Sequence, residues 1–324
     1  MVTIDEDGAE RPVVTADDWA RRRRHILASM ELVMGPLPDR KELAPLDMKV
    51  LERVELGSVV RMKVTFVSEP GDRVPAYLIQ PKKLSGKVAG VLCLHQTTEI
   101  GKGEPAGIGG KPNLHYALEL AERGYVALAP DYPYFGDNDS VPFDYGYVST
   151  TMKGIWNHMR GVDLLQSLPE VVGANIGCIG HSLGGHNTVF VSVFDERIGA
   201  MVSSCGFNAF PKYKEGDLKA WGQDKYMPRV AEVYGADPKQ MPFDFTELTG
   251  ALAPRAFFVN APLGDSNFEV SGVRDCIAAA IPVYELVGAR DNLVAVYPDA
   301  GHDFPPEIRE QAYTFLNRHL GMGK

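Results

Sequence analysis

Three residues of this sequence have the types and neighbours that nucleophilic catalysis requires. Gly180-His181-Ser182-Leu183-Gly184 has the form G-x-S-x-G, and its setting gives the short pattern meaning. An apolar run, Ile176-Gly177-Cys178-Ile179, leads straight into it and a helical stretch leaves it. A strand–nucleophile–helix turn holds the serine in a strained conformation, and flanking glycines remove side chains that would clash there. A serine so placed needs a base. Of the eight histidines, His302 follows the last strand-like run, within Asp299-Ala300-Gly301-His302-Asp303-Phe304. His25, His115, His158 and His319 fall in helical stretches, while His181 and His186 flank the nucleophile too closely to reach back to it. The base in turn needs a carboxylate to hold its tautomer and stabilise the imidazolium. Asp265 follows the apolar run Ala256–Asn260 on a loop expected at the same sheet edge, with Glu269 and Asp303 as nearby competitors. Asp291 precedes the last strand and belongs to the opposite edge.

Acyl transfer also needs donors aimed at the developing oxyanion, and backbone N–H groups serve because they are fixed dipoles. Leu183, directly after the nucleophile, supplies one. The second is expected from the loop His95-Gln96-Thr97-Thr98, with Thr97 ahead of Gln96. His95 is expected to order that loop by hydrogen bonding, and it is also a candidate substrate contact. Trp221, Tyr226, Met227 and Phe207 are further substrate-contact candidates, although packing accounts for their aromatic and apolar character equally well; Trp156 and Phe268 have the same standing.

The elements that must position these groups read as follows. Helical spacing of Trp19, Ile26, Leu27, Met30, Val33 and Met34 marks an N-terminal helix, started by Thr15 and Asp18 and stopped by Gly35-Pro36. Two β-rich runs, Arg61–Ser68 and Val74–Gln80, flank a Pro70-Gly71-Asp72 turn. Strands then alternate with helices: strands at Val88–Leu94, Tyr125–Ala129, Ile176–Ile179, Ile198–Ser203, Ala256–Asn260 and Leu293–Tyr297; helices at Leu114–Arg123, Tyr147–Ser167, Leu183–Phe194, Val270–Val287 and Pro305–Leu320. Continuous apolar runs alternating with helices predict a mostly parallel central sheet flanked by helices, an α/β fold. Phe207–Leu252 breaks the rhythm and reads as an insertion over the sheet's C-terminal edge, where open α/β sheets bind ligands.

Composition narrows the classes. With 33 Lys and Arg against 42 Asp and Glu, the net charge of −9 disfavours nucleic acid as a partner. The basic run Arg21–Arg24 reads as a solvated helix face. Of the four cysteines, Cys93, Cys178 and Cys205 sit in apolar strand-like runs and Cys276 in a helical stretch. Buried reduced thiols and a reducing, cytoplasmic compartment are expected. The acidic start, Met1 to Glu10, has no signal-peptide form, which leaves a trimmed leader open, and no apolar run approaches a membrane span. No Cys/His spacing suggests a metal site. Gly101-Lys102-Gly103-Glu104-Pro105-Ala106 fits G-x-G-x-x-A, but Pro105 and further glycines prevent a helix start, so a lid-like loop is expected rather than a dinucleotide site.

The sequence resembles the α/β-hydrolase superfamily, in its dienelactone hydrolase-like and acetyl xylan esterase-like branch. The residues that carry the likeness are His95-Gln96, Gly124-Tyr125-Val126-Ala127-Leu128-Ala129-Pro130-Asp131, the Gly180–Gly185 elbow, Asp265 and Gly301-His302, across roughly Arg61 to Leu320. The chain order Ser182, Asp265, His302 is the order of that fold. The resemblance implies ester hydrolysis through an acyl-enzyme on a small-molecule ester, sugar acetates among them, with no metal or organic cofactor. It departs from the pattern at His95-Gln96, where the branch commonly has His-Gly. Dienelactone hydrolases proper use a cysteine nucleophile, so Ser182 argues against that substrate. The expected organisation is an N-terminal helical extension over 1–60, a hydrolase domain over 61–324 and a cap insertion at about 207–252. A serine peptidase of the prolyl oligopeptidase type and a non-catalytic hydrolase-like binding protein are the alternatives. The sequence leaves open whether the N-terminal helix docks on its own body or on a neighbour's in a homo-oligomer.

Overall fold

The structure, a computed structural model, describes residues 2–4 and 8–322. Its first elements are a short antiparallel pair, β1 (Val2–Ile4) and β2 (Glu10–Pro12), and helix α1 (Ala16–Met34). Thr15 caps α1 by accepting from the Asp18 N–H while the Asp18 carboxylate receives the Thr15 N–H, a reciprocal arrangement worth about 1 kcal/mol. Ile26, Met30 and Val33 repeat at i, i+4, i+7 and are buried, each contributing roughly 1.5–3 kcal/mol. Their face packs α1 onto its own body. The adjoining arginines differ from the expected solvated face: Arg22 pairs with Glu247, and Arg23 donates to the Ala251 and Val193 carbonyls at 3.1 and 2.6 Å. Carbonyls left over at two helix ends need donors, and these side chains supply them.

Nine strands form one sheet: β3 (Lys49–Leu56), β4 (Val59–Glu69), β5 (Asp72–Pro81), β6 (Val88–Leu94), β7 (Val126–Pro130), β8 (Val171–His181), β9 (Ile198–Ser204), β10 (Ala256–Asn260) and β11 (Leu293–Val296). Their spatial order is β11-β10-β9-β8-β6-β7-β5-β4-β3. From β7 to β11 every pairing is parallel; β3, β4 and β5 join antiparallel. The sheet therefore begins at Lys49, ahead of the expected Arg61. Strand β3 went unseen because its Lys, Glu and Arg residues are almost wholly exposed, as suits an edge strand that must resist further pairing.

Helices α2 (Tyr116–Glu122) and α8 (Pro306–Leu320) cover one face of the sheet. Helices α3 (Thr150–Ser167), α4 (Leu183–Phe194) and α7 (Val270–Leu286) cover the other, with α1 outside them. Between β9 and β10 lie only short helices, among them α5 (Arg229–Glu232) and α6 (Phe245–Ala251). His115 sits just ahead of α2 rather than inside it. No helix among the described residues is long and apolar enough to cross a membrane.

The glycine-rich stretch at 101–106 is not a lid. Lys102 and Glu104 are buried, and the Lys102 ammonium pairs with the buried Asp131 carboxylate at 2.5 Å. An ion pair this deep fixes the loop, because parting it would strand both charges away from water.

Candidate active site

Strand β8 runs into α4 through Ser182, whose φ of 53° and ψ of −115° lie outside the regions an L-residue normally adopts. Two backbone bonds hold it there: its N–H donates to the Ser204 carbonyl at 2.9 Å, and its carbonyl accepts from the His186 N–H at 3.1 Å. The flanking glycines are required by close approach. A Cβ on Gly180 would strike the Gly184 backbone, and one on Gly184 would strike the Leu94 carbonyl at the end of β6. The turn thus presses against the neighbouring strand and presents Ser182 at the C-terminal edge of the sheet.

His302 and Asp265 meet at that edge from two loops. The His302 Nδ1–H donates to both Asp265 carboxylate oxygens, each at 3.0 Å. Asp265 is buried, which by itself would raise its pKa. The hydrogen bond and charge of His302, with N–H groups of Phe268 and Asn267 at 3.0 and 2.8 Å, more than offset this and hold it below its ordinary 3.8. The competitors are engaged elsewhere: Glu269 caps α7 through the Ser271 N–H, and Asp303 accepts from the Asn113 side chain. A Ser182 Oγ–His302 bond is not among the hydrogen bonds of the described residues; such bonds commonly tighten only around a bound substrate.

Beside Ser182 opens a cleft of about 190 Å³. Leu183 and Thr97 line it, and among the described residues neither N–H has a protein acceptor, so both are available to an oxyanion. Gln96 lies off the cleft with its side chain bonded to Glu104 at 3.0 Å. His95 is buried and both ring nitrogens are committed: Nδ1–H donates to the Gln96 carbonyl at 2.6 Å, and Nε2 accepts from the Tyr132 N–H at 2.9 Å. Burial lowers its pKa, in keeping with that neutral tautomer. It shapes the loop and does not face the cleft.

Of the other expected substrate contacts, Trp221, Tyr226 and Phe268 line the cleft, and the Tyr226 hydroxyl lies 3.4 Å from Thr97 Oγ1. Phe207 and Met227 do not. Phe207 is stacked between Phe245 and Phe257 in the core, and Met227 is fully buried, since apolar side chains of the insertion root it onto the body. Trp156 is spent on the Ser68 carbonyl at 3.1 Å.

Several residues at the site escaped the sequence reading. His186 lines the cleft one helical turn after Ser182, an i, i+4 relation that could have exposed it. Its pKa is pushed down to about 3 by burial, leaving a neutral ring. Tyr213, Lys214, Gln223 and Lys225 come from the irregular insertion, which has no periodicity to read. Cys205, expected within a strand, follows β9 with φ of 49°, and its thiol donates to the Asp303 carbonyl at 3.4 Å. His181, Cys205 and His302 bring ligand-capable atoms within 4.8 Å of one another, a grouping that their spacing conceals. His302 Nδ1, His181 Nδ1 and the thiol already hold hydrogen bonds to Asp265, Ser204 and Asp303, so the cluster reads as scaffolding for the His302 loop.

Known proteins are similar to this chain in sequence and in fold. Residues 145–288 match the family described as "Glucuronyl esterase, fungi". YtaP of Bacillus subtilis (strain 168) is 26% identical over 313 residues, covering 93% of this chain and 99% of YtaP. A glucuronoyl esterase from Solibacter usitatus superposes with a TM-score of 0.76 at 19% identity, over 97% of this chain and 96% of that one. An acetyl xylan esterase from Paenibacillus sp. R4 gives 0.63 at 17% identity, over 95% and 96%. The sheet order, the strained serine between β8 and α4, and these likenesses agree: the chain has the α/β-hydrolase fold.

Proposed function

We propose that this chain is a serine carboxylic-ester hydrolase that acts through an acyl-enzyme on small esters, with esters of sugars or sugar acids as the natural class. The observation that carries the reading is Ser182 in its strained turn at the edge where Asp265 holds His302. In this mechanism Ser182 Oγ attacks the ester carbonyl while His302 Nε2 takes its proton. Asp265 holds the Nδ1–H tautomer and stabilises the imidazolium. The Leu183 and Thr97 N–H groups receive the oxyanion. His302 then protonates the departing alcohol, and later draws a proton from the water that frees the acid. The sugar assignment is supported by the family match over 145–288 and by the glucuronoyl esterase and acetyl xylan esterase folds. A cleft of about 190 Å³ falls below the ~300–1,000 Å³ of drug-sized sites and favours short acyl groups. Four buried, unbridged thiols support a reducing compartment as its place of work.

The test is release of 4-nitrophenol from acetyl, butyryl and octanoyl esters, with a methyl uronate ester and an acetylated xyloside alongside. Wild type should turn over the short esters, and Ser182→Ala should lose at least ~10³-fold. Turnover of an amino-acyl anilide in preference to every ester would move the reading to a peptidase. A folded wild type inert toward all of them would favour a binding protein.

A further inference from the structure

The walls of the cleft carry a charge pattern opposite to that of the whole chain. The chain has a net charge of −9, yet the cleft beside Ser182 is lined by two lysines, Lys214 and Lys225, and by no aspartate or glutamate. Among the described residues neither ammonium forms a salt bridge, whereas lysines elsewhere do, as Lys63 with Asp137 and Lys212 with Asp275. Each is instead set over a tyrosine of the same cleft. Lys214 Nζ lies 5.5 Å from the Tyr213 ring centroid, and Lys225 Nζ lies 5.5 Å from that of Tyr226. A cation held over an aromatic face keeps its charge uncancelled, since a ring quadrupole attracts without neutralising.

The backbone under one of them is also unusual. Lys214 and its neighbour Glu215 both sit in the left-handed region, with φ of 45° and 58°. Two consecutive residues with side chains rarely adopt it, and strain of this kind gathers at ligand sites. In the short helical stretch Phe210–Gly216 it turns Lys214 onto the cleft wall while Glu215 stays off it.

We infer that the ester this site hydrolyses carries an anionic group, a carboxylate or its equivalent, bound by Lys214 and Lys225 beside the scissile carbonyl. The inference rests on the esterase reading and deepens it. An unpaired positive pair in a half-closed cleft raises the local concentration of anions and rejects cations, so it acts on selectivity and KM before it acts on bond breaking. The charge can belong to the acyl half, as in a half-ester of a dicarboxylic acid, or to the alcohol half, as in an acylated hydroxy acid. Hydrolysis balances in both: one water is consumed, and the acid and alcohol leave with the extra carboxylate unchanged on one of them.

Matched substrates test this. On the acyl side they are monomethyl succinate, methyl pentanoate and the methyl ester of β-alanine, followed by methanol release. On the alcohol side they are 4-carboxyphenyl acetate and 4-carbamoylphenyl acetate, followed by phenol release. The expected result is a kcat/KM at least ~10-fold higher for the anionic member of one pair, expressed mainly in KM, with the cationic ester slowest. That ratio should fall below ~3-fold in Lys214→Met/Lys225→Met and shrink in wild type as salt is raised from 0.01 to 1 M. The pair that shows the preference identifies the charged half. Turnover of neutral and anionic esters at equal efficiency, or a preference that survives in the double variant, overturns the inference and leaves the esterase reading intact. Failure of wild type on every ester, neutral ones included, tells against the esterase reading itself.

Discussion

The imidazole of His181 stands edge-on to that of His302, with centroids 4.8 Å apart and planes inclined by 60°. His181 is fully buried, and burial together with the nearby His302 keeps its pKa well below the ordinary value, so it stays neutral. Its Nδ1 lies 2.9 Å from Ser204 Oγ, which also receives the Asn260 amide at 2.8 Å. The Ser204 hydroxyl thus bridges His181 and Asn260 and ties the ends of β8, β9 and β10 together under the His302 loop. His181 is thus a fixed wall for the base. His181→Ala opens a void there and should lower kcat about 10- to 100-fold with little change in KM, while His181→Phe, which keeps a ring, should recover most of the loss. Equal activity of the alanine variant and wild type would remove His181 from the positioning of His302.

Asp265→Asn tests the carboxylate. The amide cannot stabilise an imidazolium and favours the wrong tautomer, so kcat should drop by about 10³- to 10⁴-fold while substrate binding persists. Asp265 is held below 3.8, so it stays ionised well into acid solution, and a general base that must be unprotonated to act gives the rate an acid limb. A rate profile without an acid limb would exclude a histidine base.

Much of this site could be read from the sequence because its parts obey local rules. The elbow is marked by Gly180 and Gly184, which steric contact with neighbouring backbone demands. Strands β6, β7, β9 and β10 are apolar along most of their length because both faces of the sheet are covered, and the ends of β6, β10 and β11 locate Thr97, Asp265 and His302 on one edge. What stayed hidden depends on long-range packing. Cys205 looks like one more apolar strand residue, although the chain turns there into the left-handed region. Strand β3 has no buried residue and so no core-facing run to announce it, and Phe207 and Met227 differ from Trp221 and Tyr226 only in which way the insertion folds. Lys214 reaches the cleft through a backbone conformation that no propensity favours.

Gly184→Ala should abolish activity by disrupting the elbow. Its Cβ would meet the Leu94 and His95 carbonyls, which are backbone and cannot swing aside. A cost of about 3 kcal/mol, the upper end for overpacking, is expected at such a contact, so the variant should unfold at clearly lower urea than wild type. An alanine variant of wild-type stability and activity would contradict the close approach of α4 to β6.

Lys102→Met probes the loop beneath the site. Asp131 is fully buried and takes both the Lys102 ammonium and the Lys102 N–H, the latter at 2.7 Å. Without the ammonium a buried carboxylate loses its counter-charge, at a cost of about 3–5 kcal/mol. Because Tyr132, the next residue, donates to His95, esterase activity should fall along with stability. Lys102→Met/Asp131→Asn should regain part of both; a double variant no better than the single would place the loss in packing instead of charge.

Asp244 offers a test of stability against pH that is independent of catalysis. It stands at the N-cap position of α6 and accepts from the Phe210 N–H at 3.0 Å, yet burial pushes its pKa up from 3.8 to about 6, ahead of the lowering effect of the N–H groups around it. A carboxyl whose pKa is raised by folding binds its proton more tightly in the native state. Its contribution to stability is therefore complete below about pH 4 and declines as pH rises from there through about 6, by roughly 3 kcal/mol in all. Asp244→Asn keeps an acceptor for the N–H groups and cannot ionise. The difference in Tm, variant minus wild type, should accordingly rise by a few °C between pH 4 and pH 7.5, with most of the rise below pH 6.5. A difference that stays flat across that range would mean Asp244 is ionised in the folded protein at acid pH. The α6 N-terminus would then hold a charged cap, stabilised by its N–H groups despite its burial.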